Sequence, residues 1–252
     1  MSIPRLYVPR ALATGDILAA AREQARYLKT VLRMGAGDPL VVFNGTNWEY
    51  DAVIHECPSP ESVALEIVGK RPAPISEIEI TLCQAIPKME KMDSIIRQAT
   101  ELGVGRIIPF FAGRSIPRWP AERSPLKRAR WQKIAIEACR QCKRTDIPEV
   151  GGVMTFDEML RSEVSGGIKL IFWEEESTTE FRALLRDPVS EGLKSFLLVI
   201  GPEGGFETDE IVRAKDAGFI SVSLGRRVLR VDTAAVAVLA ILQHERGALA
   251  GC

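Results

Sequence analysis

The stretch SFLLVIGPEGGFETDEI, residues 195–211, decides how the chain is read. Its apolar start, 195–200, suits a strand buried on both faces of a sheet. Three glycines and a proline follow, and then a polar run that opens like a helix. Strand, glycine-rich loop and helix is how many nucleotide-binding folds hold a phosphate. Here, however, the order is Gly201-Pro202-Glu203-Gly204-Gly205. Pro202 has no amide to donate, and Glu203 sets a negative charge where a phosphate would sit. A dinucleotide fingerprint also needs G-x-G-x-x-G at the first βα turn, whereas this loop lies near the end of the chain. These residues argue against a phosphate cradle. A cationic or neutral ligand gripped by backbone groups suits the loop better, and a plain tight turn is the alternative.

A second loop, in LGRRVLRVDTAAVAVLAILQHE (224–245), follows the next apolar run. Thr233 or Asp232 can cap the helix it leads into. Ala234, Ala235, Ala237 and Ala240 allow close packing along that helix. Ligands of open α/β sheets bind outside the carboxyl ends of the strands. Two such loops at consecutive strand ends favour a binding site over a turn.

Working outward, residues 77–86, 106–111, 148–153, 168–173, 195–200 and 219–224 read as strands alternating with helices. Met92, Ile95, Ile96, Ala99 and Leu102 share one helical face, and Gly103 can end that helix. Ser124-Pro125 is a helix start, and Thr155-Phe-Asp-Glu158 is a capping box. The alternation predicts a mainly parallel α/β sheet covered on both faces. Residues 38–69 differ. DPLVVFNG and NWEYDAVIHE meet across Asn44-Gly45, a hairpin signal, and SVALEIVG (62–69) adds a third strand. A short helix, roughly 20–32, precedes them. KRPAPIS (70–76) reads as a linker, which sets domains of 1–72 and 73–252.

With 252 residues there is ample surface to bury, and 46% hydrophobic with 26% charged residues fits a soluble globular protein. No apolar run approaches the ~20 residues that span a bilayer. The N-terminus lacks the apolar core of a signal peptide, so the chain reads as cytoplasmic with no membrane partner. Five scattered cysteines do not form a disulfide framework. Cys139 and Cys142 lack a second ligand pair and read as helical core residues, with no metal site. The formal net charge is zero, yet residues 114–144 carry ten basic side chains against Glu122 and Glu137. That segment is either a nucleic-acid footprint or a solvated helix face.

LLVIGPEGGFETDEI followed by LGRRVLRVDTAAVAVLAILQ is similar to the closing half of SPOUT-class methyltransferases, which carry a C-terminal trefoil knot. IPRLYV (3–8), VLRMGAGD (31–38), FNGTNWEYDAVI (43–54), PKMEKMDSIIRQATELGV (87–104) and RWQKIAIEACRQCKRTDIPEV (130–150) extend the match in order. Over nearly its whole length the chain resembles the bacterial ribosomal RNA small-subunit methyltransferase E family.

The resemblance implies a PUA-like β-barrel ahead of a knotted, mainly parallel α/β sheet with helices on both faces. A deep knot departs from the usual rule that chains do not thread their own loops. It further implies S-adenosyl-L-methionine as methyl donor, no metal, and a homodimer packed through the knots. The implied substrate is N3 of a uridine in 16S ribosomal RNA, within the assembled small subunit. Donor-site residues carried over are Trp173, Ile200, Gly201, Pro202, Glu203, Gly204, Gly205, Leu224, Gly225, Val228, Leu229 and Thr233. Arg230, Glu203 and Asp232 are the implied catalytic residues. Arg230 would stabilise charge on the uracil oxygens, or else simply pair with Asp232. Glu203 and Asp232 would orient the donor or accept the proton. Arg10, Arg33, Lys88, Lys91, Arg114, Arg118, Arg140, Lys143 and Arg144 would contact RNA. Two departures stand out: the family usually has an acidic residue where Gly113 stands and glutamate where Asp232 stands.

Three other functions fit parts of the sequence. A nucleotide-dependent oxidoreductase would need the early fingerprint that is missing. A non-catalytic RNA-binding protein would leave the two loops without a purpose, and a knotted methyltransferase acting on another atom or RNA shares every motif above.

Overall fold

The computed structural model describes residues 3–59, 61–74, 76–89, 91–116, 119–163, 167–247 and 249. The chain divides into two units, one of Met1–Ile75 with Cys139–Ile147 and one of Ser76–Ala138 with Pro148–Cys252. The boundary suggested at 72–73 falls at 75–76, and a short later segment returns to the first unit.

In the first unit β1 (Arg5–Tyr7), β2 (Ile17–Ala19), β3 (Pro39–Phe43), β4 (Trp48–Ser59) and β5 (Ser62–Pro72) form one sheet in the order β1-β3-β4-β5-β2. Only β1 and β3 pair in parallel. The β3–β4 hairpin turns at the predicted place, with Gly45 at φ +84° and the Thr46 hydroxyl donating to Asn44 Oδ1 at 2.6 Å. Alternation does the packing: Tyr50, Ala52 and Ile54 of β4 and Val63, Leu65 and Ile67 of β5 are buried. The predicted helix is α1 (Arg22–Arg26), running into a wider π-helical turn at Tyr27–Val31. Two features escaped the sequence pattern. Strands β1 and β2 have three residues each, too few to show a period. The first part of the supposed linker, 70–72, belongs to β5, because Arg71 pairs with Glu49 and Asp51 on β4.

In the second unit every strand pairing is parallel. The elements are β6 (Glu79–Ala85), α2 (Lys91–Glu101), β7 (Arg106–Phe111), α3 (Ser124–Cys142), β8 (Glu149–Val150), β9 (Met154–Thr155) and α4 (Phe156–Leu160). There follow β10 (Ile168–Phe172), α5 (Phe181–Arg186), β11 (Ser195–Ile200), α6 (Thr208–Asp216), β12 (Ile220–Val222) and α7 (Val231–Arg246). The strand order is β12-β10-β11-β6-β7-β8, with β9 also on β7. Of the stretch 148–153, expected as one strand, only β8 forms; pairing stops at Gly151-Gly152 and resumes beyond it in β9, and the two pair with opposite ends of β7. Glycine inside a strand pattern commonly marks such a break.

Central β11 is buried at all six positions. Phe196, Leu198 and Ile200 join one apolar cluster with residues of α2, α3, α5 and α7. Leu197 and Val199 join another with α4 and α6. Helices therefore cover both faces, and each fully buried Leu, Ile or Phe contributes roughly 1.5–3 kcal/mol. The α2 face predicted from spacing is buried as expected, and Gly103 at φ +84° ends that helix. The Thr155–Glu158 capping box also forms. No described helix is long and apolar enough to cross a membrane.

Candidate active site

Because the sheet of the second unit is parallel, the loops that leave the carboxyl ends of β6, β7, β10, β11 and β12 emerge at one edge. The loop after β11 is filled by its own neighbours. Gly205 has φ +69°, and a Cβ there would lie 2.0 Å from Glu174 Oε1. A Cβ on Gly201 would meet the Phe206 ring at 2.9 Å, and one on Gly204 would meet Arg114 Cβ at 3.1 Å. Only Gly205 needs the left-handed backbone; the other two glycines make room for side chains. The Gly205 amide donates to Pro202 O at 3.0 Å, and α6 is closed by a Glu207–Glu210 capping box. The Gly205 and Glu207 amides are thus already used.

Glu203 is the hub of this loop. Its carboxylate accepts from the Lys88 amide at 3.0 Å and from Lys91 Nζ at 2.9 Å. Partial burial pushes its pKa up, but the Lys88 amide, Lys91 and its own amide outweigh that and hold it below the ordinary 4.5. Lys91 Nζ also lies 3.9 Å from Asp232 Oδ1, a buried oxygen with no hydrogen-bond partner. One lysine at the start of α2 therefore bridges a carboxylate from the β11 loop and one from α7. Asp232 and Thr233 were expected as possible caps of α7. Instead Arg230 holds the cap position with no side-chain capping bond, and Asp232 sits in the first turn, where a negative charge suits the helix dipole.

The loop after β7 is tied to the same place. Arg114 Nη1 donates to Gly204 O at 3.0 Å. Glu210, only 2% exposed, accepts from the Gly113 amide and from the Glu207 amide, each at 2.9 Å. A Cβ at position 113 would lie 2.9 Å from the Glu207 carboxyl carbon, so Glu207 occupies the space a side chain there would need. On the other side, Trp173 N donates to Val222 O at 3.1 Å, which ties the ends of β10 and β12 together. Next to it Glu176 accepts from Ser221 and from Thr178, contacts that lower its pKa to about 2.

The loop after β12 is different. Gly225, Arg226, Arg227, Val228 and Arg230 are exposed, Leu224 and Leu229 half-buried. No hydrogen bond or ion pair among the described residues engages the side chains of Arg226, Arg227 or Arg230. The alternative pairing of Arg230 with Asp232 does not form.

The sequence matches the RNA methyltransferase domain family over residues 74–243 and the RNA methyltransferase PUA domain family over 21–68. The ribosomal RNA small subunit methyltransferase E of Buchnera aphidicola from Schizaphis graminum is 32% identical, over 98% of both chains. The chain belongs to the ribosomal RNA small subunit methyltransferase E family. The Bacillus subtilis member is 29% identical over 91% of this chain and 90% of its own. A Neisseria gonorrhoeae methyltransferase E crystallised with S-adenosyl methionine superposes with a TM-score of 0.87 at 30% identity, covering 98% of this chain and 99% of that one. A Legionella pneumophila protein solved with the cofactor SAM gives 0.89 at 34%, covering 98% and 100%.

The donor-site and catalytic residues expected from sequence all lie on or beside the loops after β10, β11 and β12. Of the two lysines expected to meet RNA, Lys91 pairs with Glu203 through its ammonium, whereas Lys88 gives Glu203 only its backbone amide and keeps an exposed side chain. The other RNA residues are scattered. Arg114 is beside Gly204, whereas Arg10, Arg33, Arg140, Lys143 and Arg144 belong to the first unit. There Arg140 stacks over the Tyr27 ring at 4.7 Å, and Arg144 is committed to Asp146 at 2.6 Å. Arg33 and Lys143 are exposed. Arg118 lies outside the described residues. Sequence reading missed Glu174, Glu210 and Gln84, whose fully buried side chain donates to Ala85 O at 3.0 Å and leaves Oε1 without a partner. A polar residue inside the apolar run 80–86 was the available signal for Gln84. Cys139 is a core thiol, its pKa pushed up to about 12 by burial.

Proposed function

We propose that the protein transfers a methyl group from S-adenosylmethionine to N3 of a uridine in 16S ribosomal RNA of the small subunit. The observation that carries this reading is the pairing of two unlike loops at one sheet edge. One holds Glu203, whose partner Lys91 also reaches Asp232 in the first turn of α7, and the other presents Arg230 unpaired just before that helix. The residues fit the donor. Glu174, Glu203 and Asp232 offer carboxylates to a sulfonium, Asp232 Oδ1 is buried without a hydrogen bond, and Pro202 with Glu203 makes the loop a poor seat for a phosphate.

Ile200, Gly201, Pro202, Gly204 and Gly205 would hold the donor from one side, Trp173 from a second, and Leu224, Gly225, Val228, Leu229 and Thr233 from a third. When bound, the donor supplies an electrophilic methyl on sulfur for direct displacement. Everything else falls to the chain: placing the base, removing its proton and stabilising the charge that develops. Arg230 carries an uncommitted guanidinium whose donors suit the two carbonyl oxygens flanking N3. Of the two carboxylates, Asp232 is the better proton acceptor. Glu203 is already hydrogen-bonded by an amide and an ammonium, which weakens it as a base. Relative to the usual glutamate, Asp232 is one methylene shorter, and Lys91 on the adjoining helix holds it in place.

The same reading includes a trefoil knot, a homodimer packed through it, action on the assembled subunit and a cytoplasmic location. Supporting the knot is the placement of β11 between β10 and β6, together with the matched C-terminal motifs. The test is methyl transfer from labelled donor to small ribosomal subunits that lack the modification, with the product nucleoside identified chromatographically. Labelled N3-methyluridine from the wild type, and none from Gly204→Val, supports the reading. Donor binding with a different labelled nucleoside would make the substrate wrong. Absence of both donor binding and labelling would leave a protein that only binds RNA.

A further inference from the structure

We infer that Lys91 sets how strongly the site separates the charged methyl donor from its neutral product, S-adenosylhomocysteine, by acting as a resident cation between Glu203 and Asp232. The inference rests on the methyl-donor reading above. Lys91 opens α2, and a cation in the first turn of a helix is opposed by the helix dipole, whereas Asp93 in the same turn suits it. What holds the ammonium there is the carboxylate pair. Its Nζ lies 2.9 Å from Glu203 Oε1 and 3.9 Å from Asp232 Oδ1. Among the described residues no other ammonium or guanidinium pairs with either carboxylate.

The two contacts are unequal. Glu203 has both the ammonium and the Lys88 amide at hydrogen-bond distance. Asp232 Oδ1 is buried, and at 3.9 Å it feels the charge of the lysine without a hydrogen bond. One half-served carboxylate is therefore left for a second cation. The sulfonium of the donor is such a cation, and the thioether of the product is not. Lys91 blunts that difference, because it cancels one of the two negative charges that would draw the sulfonium in. In return, the empty site keeps its two carboxylates in place without a ligand. The three side chains are 26%, 21% and 36% exposed, so their charges act through a partly shielded medium. One unit charge at such range changes an affinity by about 5- to 100-fold.

The test is calorimetric binding of three ligands to the full-length protein: S-adenosylmethionine, S-adenosylhomocysteine, and sinefungin, which bears an amine where the donor bears its methylated sulfur. Lys91→Met is expected to raise the preference for donor over product by about 5- to 100-fold. Asp232→Asn is expected to lower it, since it removes a negative charge instead of a positive one. Lys91→Arg keeps the charge and should keep the wild-type ratio. Sinefungin should follow the donor in every variant, which separates charge from the bulk of the methyl group. An unchanged ratio in Lys91→Met overturns the inference even where both affinities fall, because a lysine that only supports the fold would weaken donor and product alike. Shifts of the same sign in Lys91→Met and Asp232→Asn overturn it too, as does sinefungin following the product. A wild type that binds none of the three removes the methyl-donor reading and this inference together. Binding of all three with an invariant ratio removes this inference alone.

Discussion

The loop after β11 and the loop after β12 leave the same edge of the same sheet, and each has a positive-φ glycine, yet they are built in opposite ways. The first is saturated: Glu174, Phe206 and Arg114 fill the space beside its glycines, Gly205 closes on Pro202, and Glu203 is held from two directions. The second is tied by little more than the Gly225 amide donating to Ser223 Oγ, and its three arginines have no side-chain partner among the described residues. A saturated loop is pre-shaped and binds without reordering. A loop with free cations keeps its interaction energy for a ligand that arrives from outside. On the proposed reading the saturated loop would hold the donor from one side, and the free arginines of the second would be turned to RNA.

The hardest blow to that contrast is Gly205→Val. A β-branched residue at φ +69° is strained by roughly 1–2 kcal/mol before its clash with Glu174 is counted. Donor affinity measured calorimetrically should fall by about 100-fold or more. If it does not, the β11 loop is not a donor site. Next in size is Arg230→Ala, expected to lower kcat by about 100- to 1000-fold with donor affinity unchanged, the mark of a group that acts on developing charge. A matching loss in donor affinity would put Arg230 in the saturated class.

Acid unfolding sharpens the comparison further. Glu176 has a folded-state pKa of about 2, below its ordinary 4.5. Its contribution is therefore full above about 4.5 and lost as pH falls toward about 2. Glu176→Gln should lower Tm by a few degrees at pH 7 and show a flatter loss of stability across that acid range, read by calorimetry. An unchanged acid limb would mean that the β10 loop is not locked through this carboxylate. The smallest effect belongs to Arg227→Ala: binding of the small-subunit RNA weakened a few-fold, with the salt slope reduced by about one and donor binding intact.

How much of this could be read in advance varied with the length of each pattern. The strands at 106–111 and 195–200 were legible to the residue, because long apolar runs between turn signals have few other outcomes. The α2 face and the Thr155 capping box were equally plain. The three-residue strands were not, nor was the continuation of β5 through KRP, since its cause is a cross-strand charge pair. At the site, the glycine loops and Arg230 were visible as motifs. The bridge from Lys91 to Glu203 and Asp232 joins residues more than a hundred positions apart, and Glu210 looks like an ordinary helix acid until its neighbours are known. Motifs show which residues matter together; distances show which are already spoken for.

The return of Cys139–Ile147 to the first unit bears on how this protein could be taken apart or recombined. Arg5, only 9% exposed, spans the Glu49 carboxylate and the carbonyls of Lys143 and Arg144. A fragment ending at residue 72 would strip that guanidinium of both backbone acceptors and reopen the β1 side of the sheet. The amino-terminal unit is therefore not a detachable module that could be traded between proteins by a single cut. Its inheritance is coupled to that of the enzyme half, and a graft that keeps it whole must carry the distant nine-residue strip as well.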